Sequence, residues 1–562
     1  MFAEIVLHRR VPSKFDSFTY EVPADLKIAQ GQVVSVPFRN QKLPGIVRAL
    51  HEAAPTYPTK VLESATELIL GTRQMDLAVW MSKFYACGFS KVIDFFIPEK
   101  IWTPSKRVKK KAEAAAAEKI PQERVSEKIA PDEKPVEVSG TRNENLEKLV
   151  KELLVKKENI LVLEKTPMDL REISEEISRQ SDSDDQVLVL FPELFHLKKF
   201  SENLPVFHGE LNETRKAQIW ESIRNGAPGV IAGTRAALFL PFKKLSAIVV
   251  TFEHSESYKE KRTPNYDALS VAEKLAALWK IPLIVTSQTP RAETWHKMLE
   301  NKFKKIEWIA PKAPTVKIIE MADERRHGNY GIFADETIEK IARTLSQNKQ
   351  VLLFINQKGE ASALLCPDCG NIFRCGTCSS SLTVHKELDL RCHRCKTSSP
   401  MPSTCDKCGN ANLKPLGHGT EKLEKEIEKI FSRAKIIRLD SGNFASRGKK
   451  SVDEKLLEAT DVIIATQSID KPFTLPRLNL SVAVSPDPLL QFPHFRATER
   501  VFQLLTHIKN LTHPSGEFLI QTFLPGNPIF EYIKNDPIEN FYEAELETRK
   551  SLSLPPFNSA CP

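Results

Sequence analysis

Two series of short, unbroken apolar runs set the tightest limit on what this chain can fold into. The first is "NILVL" (159–163), "QVLVLF" (186–191), "PGVIAGT" (228–234), "LSAIVV" (245–250) and "PLIVTS" (282–287). The second is "QVLLFIN" (350–356), "AKIIRLD" (434–440), "DVIIAT" (461–466) and "LSVAVS" (480–485). A strand that is apolar at every position has no side fit for water, so it belongs in a sheet covered on both faces. Amphipathic stretches between the runs supply the covering helices, which is the pattern of a parallel α/β sheet. Two series therefore predict two tandem α/β domains, at 144–312 and 313–562.

Residues 1–103 read differently. "GQVVSVPF" (31–38) and "PGIVRAL" (44–50) are β-branched runs punctuated by Gly and Pro, as short strands in a small β-rich domain should be. "TRQMDLAVWMSKFYACGF" (72–89) has helical spacing, with Leu77, Trp80, Met81 and Phe84 expected on one side. Residues 104–143 are rich in Lys, Glu, Ala and Pro and nearly devoid of large apolar side chains. Such a segment buries too little surface to fold alone and reads as a disordered linker.

Eight of the ten cysteines fall between Cys366 and Cys408 as four Cys-x-x-Cys pairs, inside an insertion at 363–412 that interrupts the second α/β domain. The pairs are Cys366/Cys369, Cys375/Cys378, Cys392/Cys395 and Cys405/Cys408. Each Cys-x-x-Cys turn delivers two thiolates to a tetrahedral Zn²⁺, so four turns predict two structural zinc sites. Sequential and nested pairings both fit the spacing. The chain begins "MFAEIVLHRRVPSKF", with no signal-peptide core, and has no run of about 18 apolar residues, so a cytoplasmic protein without membrane spans is expected. A net charge of +8 permits nucleic acid as a partner without demanding it.

Several segments together resemble the bacterial replication-restart family PriA, also called primosomal protein N′. These are "GTRAALFLPFKKLSAIVV" followed by "EHSESYK", "TPRAETW" (289–295), "LLCPDCGNIFRCGTC", "LRCHRC", "LKPLGHGTEKLEKEI" (413–427), "FRATERVFQLLT" (495–506) and "SLSLPPF" (551–557). At the N-terminus, "FTYEVP…GQVVSVPF…GIV" resembles that family's 3′-end DNA-binding domain. The resemblance implies two RecA-like lobes of an ATP-dependent 3′→5′ helicase. It also implies nested zinc sites: Cys366, Cys369, Cys405 and Cys408 for one, Cys375, Cys378, Cys392 and Cys395 for the other.

The departures fall on the motor. The family's phosphate loop needs glycines, because the backbone must wrap the phosphates with its N–H groups. Here "NILVL" runs into Glu164-Lys165-Thr166-Pro167, and only Lys165 and Thr166 stand as remnants. Thr251 replaces the Mg²⁺-binding Asp and Phe252 the catalytic Glu, while Glu253 and His254 remain from that motif. "KPFTLP" (471–476) has lost a Gly-rich motif, and "HIKNLTHPSGEF" (507–518) has none of the expected arginines. No catalytic residue is assigned, and ATP and Mg²⁺ binding is in doubt. The family's winged-helix domain has no room at 104–143. Its C-terminal domain is absent before Pro562, or the sequence is a fragment.

The resulting expectation is a monomeric, non-catalytic protein that binds forked or 3′-ended DNA and other primosome proteins. Phe18, Thr19, Tyr20, Arg39 and Lys60 are the candidate DNA contacts, since aromatics stack on bases and cations pair with phosphates. Thr19 stands where many family members carry Asp. Two other readings stay open: an active helicase with an atypical nucleotide site, and a zinc-containing interaction scaffold.

Overall fold

The computed structural model describes residues 1–8, 16–102, 158–164, 176, 179, 184–200, 204–308, 313–356, 364–377, 382–384, 389–392, 395, 397–415, 420–439, 454–470, 473, 475–492, 494–535 and 537–558. The expected linker at 104–143 and the remnants Lys165 and Thr166 lie outside these residues, as does Cys378.

The N-terminal domain is a six-stranded sheet in the order β5-β2-β1-β4-β3-β6. Its strands are β1 (Phe2–Leu7), β2 (Phe18–Glu21), β3 (Gln32–Phe38), β4 (Gln41–His51), β5 (Lys60–Val61) and β6 (Ser64–Ile69). All its pairings are antiparallel except β2 with β5. The helix Thr72–Phe84 follows and buries Met75, Leu77, Ala78 and Met81. The predicted apolar side is therefore rotated: Trp80 and Phe84 stack on each other, 4.8 Å between ring centroids, at the helix margin, and Phe84 is exposed.

This domain is not held by its tether alone. Phe95 and Phe96 pack on Phe239 at 5.3 and 5.0 Å. The indole of Trp220, on the helix Glu213–Arg224, donates to the Phe96 carbonyl at 2.7 Å. Arg73 lies over the Trp279 ring at 4.1 Å. Burying several aromatic rings at one seam, each worth more than its area alone, fixes the domain on the lobe that follows.

That lobe is a seven-stranded, wholly parallel sheet in the order β13-β7-β12-β11-β8-β10-β9. The strands are β7 (Ile160–Glu164), β8 (Gln186–Leu190), β9 (Val206–Phe207), β10 (Gly229–Gly233), β11 (Leu245–Val250), β12 (Leu283–Ser287) and β13 (Lys304–Trp308). β7, β8 and β12 are buried at every position, as unbroken apolar runs require. The helix Ala268–Trp279 starts where the Asp267 carboxylate accepts from the Leu269 and Ser270 N–H groups.

The second lobe is a six-stranded parallel sheet in the order β14-β24-β23-β15-β22-β21. It uses β14 (Thr315–Glu320), β15 (Gln350–Phe354), β21 (Ile436–Leu439), β22 (Val462–Ala465), β23 (Leu478–Ala483) and β24 (Glu517–Thr522). The cysteine block lies between β15 and β21 as short antiparallel strands, β16 (Leu364–Leu365), β17 (Thr383–Val384), β18 (Asp389–Arg391), β19 (Ser398–Pro400) and β20 (Lys414–Pro415). Leu365 and Ile372 seat it on Phe523 and Leu524 of the lobe. The fold is therefore two RecA-like parallel-sheet lobes, a small β-rich N-terminal domain and a cysteine insertion in the second lobe.

A buried charge cluster joins the lobes. The Glu499 carboxylate accepts from the Ala292 N–H at 2.7 Å, from Arg496 at 2.9 Å and from Arg549 at 2.8 Å. Arg496 and Arg549 also donate to Glu293, at 2.5 and 3.1 Å, and Arg549 donates to Glu545 at 2.9 Å. Ala292 and Glu293 belong to the first lobe and the other members to the second. Trp295 stacks on Tyr542 at 4.4 Å beside the cluster, and the Tyr542 hydroxyl donates to the Pro290 carbonyl at 2.5 Å. Glu499 is 2% exposed and Arg549 1%, so each ion depends on the others for solvation. Burial alone would raise the Glu499 carboxyl, but Arg549 and Arg496 outweigh it and hold it below its usual value.

Removing one member strands the rest, which costs about 3–5 kcal/mol for a buried pair. Glu499→Ala should destabilise the protein on that scale in urea unfolding. Glu499→Leu, Arg549→Met and Glu545→Leu together, which leave Arg496 paired with Glu293, should recover most of the loss. A single variant within about 1 kcal/mol of the parent would contradict the cluster's role.

Candidate functional site

Ligands of open parallel sheets bind beyond the carboxyl ends of the strands. β11 delivers Thr251 and Phe252 there. Thr251 is fully buried, and its hydroxyl donates to the Leu190 carbonyl at 2.8 Å. The Tyr258 hydroxyl lies 2.9 Å from that same carbonyl and 2.8 Å from the Thr251 carbonyl. Phe252 sits in the left-handed region at φ 48, which costs a non-glycine residue about 1–2 kcal/mol. Its ring meets His196 edge-on at 4.9 Å and joins an apolar cluster with Leu194 and Val206. A hydroxyl turned onto backbone and a packed phenyl ring offer no oxygen to a metal ion and no base to a water molecule.

Glu253 and His254 are structural cross-links. Glu253 is fully buried, accepts from the Arg291 N–H at 2.6 Å and lies 3.3 Å from the Thr294 hydroxyl. Burial pushes its carboxyl up to about 7, against the pull of Arg291. His254 meets the Ser287 hydroxyl at 2.7 Å. Burial, helped by His507 and Arg291, drives its imidazole down to about 3, so it is neutral at physiological pH. Arg291 also pairs with Asp267 at 2.7 Å. Burial would raise that carboxyl, yet Arg291 holds it low. The residues left of the motor motif thus tie the end of β11 to the turn after β12. Across from them, Phe473 of the second lobe packs on Phe195 of the first at 5.6 Å.

The two outer cysteine knuckles are built alike. Gly370 and Gly409 follow them at φ 72 and 73, in the left-handed region that glycine tolerates. Each donates its N–H to the carbonyl of the first cysteine, Cys366 or Cys405, at 2.9 Å. The structure brings Cys366, Cys369, Cys405 and Cys408 together. The Cys366–Cys408 and Cys369–Cys405 sulfurs lie 3.6 and 3.7 Å apart. A tetrahedral zinc with Zn–S bonds of about 2.3 Å spaces its sulfurs at about 3.8 Å, so the donor set and its geometry fit. The Cys405 sulfur accepts from the Lys407 N–H at 3.4 Å, a contact suited to a thiolate. Cys375, Cys392 and Cys395 form a second group, with 3.4 Å between the Cys375 and Cys395 sulfurs. Of the two pairings the spacing allows, this is the nested one.

The candidate DNA contacts of the N-terminal domain divide. Phe18 and Phe38 meet edge to face at 5.2 Å, and the Arg39 guanidinium lies 5.8 Å from the Phe38 ring at the β3–β4 turn. The Thr19 hydroxyl is 2.8 Å from that of Tyr57, which sequence reasoning had not singled out and which is 56% exposed. Lys60 pairs with Tyr20 across β2 and β5. Tyr20 itself is 4% exposed, packs in the domain core and donates to the Pro37 carbonyl at 3.3 Å. Its ring presents no face to a base. Two separate contacts result, Phe18 with Phe38 and Arg39, and Thr19 with Tyr57. The signal for Tyr57 was an aromatic in a Pro-flanked turn three residues before Lys60.

A cleft of 2070 Å³ lies where the N-terminal domain and both lobes meet, lined among others by Phe95, Arg235, Lys259, His494 and Arg500. It opens at the carboxyl ends of the first-lobe strands, as Pro192, Thr234 and His254 mark.

Residues 4–98 match the family model of the 3′DNA-binding domain (3′BD) of PriA. The chain is 29% identical over 572 residues to the replication restart protein PriA of Rickettsia conorii, an alignment covering 97% of this chain and 84% of that protein. The chain belongs to the PriA family. Other members match a shorter stretch of it. The Bacillus subtilis PriA is 32% identical over 64% of this chain, and the Chlamydia pneumoniae PriA 32% over 70%. The PriA-family chain spans about half the length of these two curated relatives, 46% and 55%. Among solved structures, the helicase MrfA bound to DNA is similar at a TM-score of 0.40 and 12% identity, over 80% of this chain and 54% of that one. Among the described residues no helix is long and apolar enough to cross a membrane.

Two outcomes follow from the geometry of this PriA-family chain. Cys405→Ser should lower bound zinc by one ion per chain in metal analysis, and an unchanged zinc content would refute the outer site. Glu253 carries a folded-state pKa above that of the unfolded chain. Its contribution is therefore fully present below about pH 4.5 and is lost as pH rises through about 7. Glu253→Gln, which mimics the protonated acid, should gain about 1–3 kcal/mol relative to the parent between pH 5 and pH 8. An equal difference at both pH values would contradict the raised pKa.

Proposed function

We propose that this chain binds DNA at stalled or branched replication forks, helps assemble the primosome there and does not work as a helicase. The 3′-terminal nucleotide of a nascent strand meets this domain through Phe18, Arg39, Tyr57 and Lys60, where rings can stack on a base and two cations can pair with phosphate. Two zinc ions hold the cysteine block as a rigid projection from the second lobe. Closed Cys₄ sites cross-link chain and leave no position for substrate.

The observation that carries this reading is the end of β11. Thr251 bonds to the Leu190 carbonyl and Phe252 packs against His196, where a motor of this architecture needs a metal-binding acid and a catalytic acid. The lack of arginine in "HIKNLTHPSGEF" (507–518), which begins in the last turns of the helix Ala497–Leu511, points the same way, since one such arginine is worth about 10³–10⁵ in rate.

Anisotropy titrations of labelled forked DNA test the reading. Affinity should fall steeply between about 50 and 200 mM salt. Replacing both Arg39 and Lys60 by Ala should weaken binding and lower the magnitude of the salt slope by about 2. ATP should leave the affinity unchanged. No binding at about 50 mM salt would exclude this function and favour the zinc scaffold.

A further inference from the structure

The cleft has a feature on its second-lobe rim that neither the motor motifs nor the N-terminal cluster absorbs. His494 and Phe495 stack, 5.0 Å between ring centroids and 18° between planes. Both residues are exposed, although large aromatic rings of a folded chain are ordinarily buried. Behind them the stack is anchored: the Arg496 and Arg549 guanidiniums lie 4.9 and 5.4 Å from the Phe495 ring centroid. These are the arginines of the buried inter-lobe cluster, so the step is mounted on that ion network. The Arg496 N–H donates to His494 Nδ1 at 3.1 Å and fixes the imidazole.

The surroundings carry cations interleaved with acids, Arg496 and Arg549 being paired with Glu293 and Glu499. Arg500 and Arg496 face His494 from the second lobe, and Lys259 faces it from the first, with Glu256 as the opposing charge. Glu256 is itself paired with Arg500. Burial and these cations lower the His494 pKa, so the ring is a neutral aromatic surface near pH 7. An exposed, neutral, rigidly backed stack amid guanidinium and ammonium groups has the chemistry that receives an unpaired base with its phosphate.

We propose that His494 and Phe495 form a stacking step on which one unpaired base of single-stranded DNA rests as the strand enters the cleft, with Arg500 and Lys259 beside the flanking phosphate. This rests on the DNA-binding reading above and assigns that binding a second contact, away from the N-terminal domain.

The test uses the full-length, zinc-loaded protein and two labelled probes: a dT20 strand and a backbone of equal length made of abasic sites, both with a 3′-phosphate to mute the N-terminal cluster. The parent should bind dT20 more tightly than the abasic strand. His494→Ala should weaken dT20 binding by about 5- to 100-fold, the range for loss of one base–aromatic stack, and leave the abasic strand unchanged. His494→Phe, which keeps a ring, should bind dT20 within about twofold of the parent. A His494→Ala protein that holds dT20 like the parent, or loses both probes equally, would overturn the step. If the parent binds neither probe nor forked DNA, the DNA-binding reading fails and the step fails with it. If the parent binds forked DNA but does not prefer dT20, the step alone fails.

Discussion

The ion cluster around Glu499 sets the geometry on which the rest of the molecule depends. It joins the turn after β12 in the first lobe to the helices Ala497–Leu511 and Glu539–Ser551 in the second, with Glu293 on one side and Arg496 and Arg549 on the other. None of its buried ions has water to fall back on, so the lobes meet in one arrangement or leave charge stranded. Arg291 extends the network back to Asp267 and Glu253, and so to the end of β11. The cleft and the aromatic step inherit their positions from this junction. The N-terminal domain is added by a separate, aromatic seam through Phe95, Phe96, Trp220 and Phe239.

This arrangement shows how little of a RecA-like scaffold depends on the residues at its strand ends. A RecA-like lobe is stable because its parallel strands are buried on both faces, and that requires nothing of the loops at their carboxyl ends. Those loops are where nucleotide chemistry resides in such folds, and at the end of β11 the described side chains are engaged in packing. Thr251 satisfies a backbone carbonyl, Phe252 fills an apolar pocket, and His254 is held neutral against Ser287. Thr251 and Phe252, where the resemblance implies two acids, leave no buried charge there to be balanced.

Sequence alone made much of this legible, for definable reasons. All nine unbroken apolar runs lie on strands of the two lobes, since a period-free apolar run has few other uses. The missed strands are the ones that break this rule. β9, β13 and β14 are sheet edges, and "KKIEW" carries charge because one of its sides meets water. β24 is central, but Gln521 interrupts its pattern. That buried amide is satisfied by the Ala334 N–H and the Ile332 carbonyl, almost two hundred residues earlier in the chain. The ion cluster was invisible for the same reason: Glu499 and the Ala292 N–H are 207 residues apart. Spacing named the eight cysteines but left their pairing open, because only the folded insertion brings the first and last knuckles together. Tyr20 reads as a stacking residue and is core, while Tyr57, not among the sequence candidates, is exposed beside Thr19.

The most direct test of a DNA-binding scaffold without an engine is ATP turnover by the purified full-length protein, with and without forked DNA, beside Lys165→Ala. The account predicts no DNA-stimulated hydrolysis above the Lys165→Ala protein. DNA-stimulated turnover that Lys165→Ala abolishes would make "LEKTP" a working phosphate site and contradict the reading of Thr251 and Phe252 as the end of a motor.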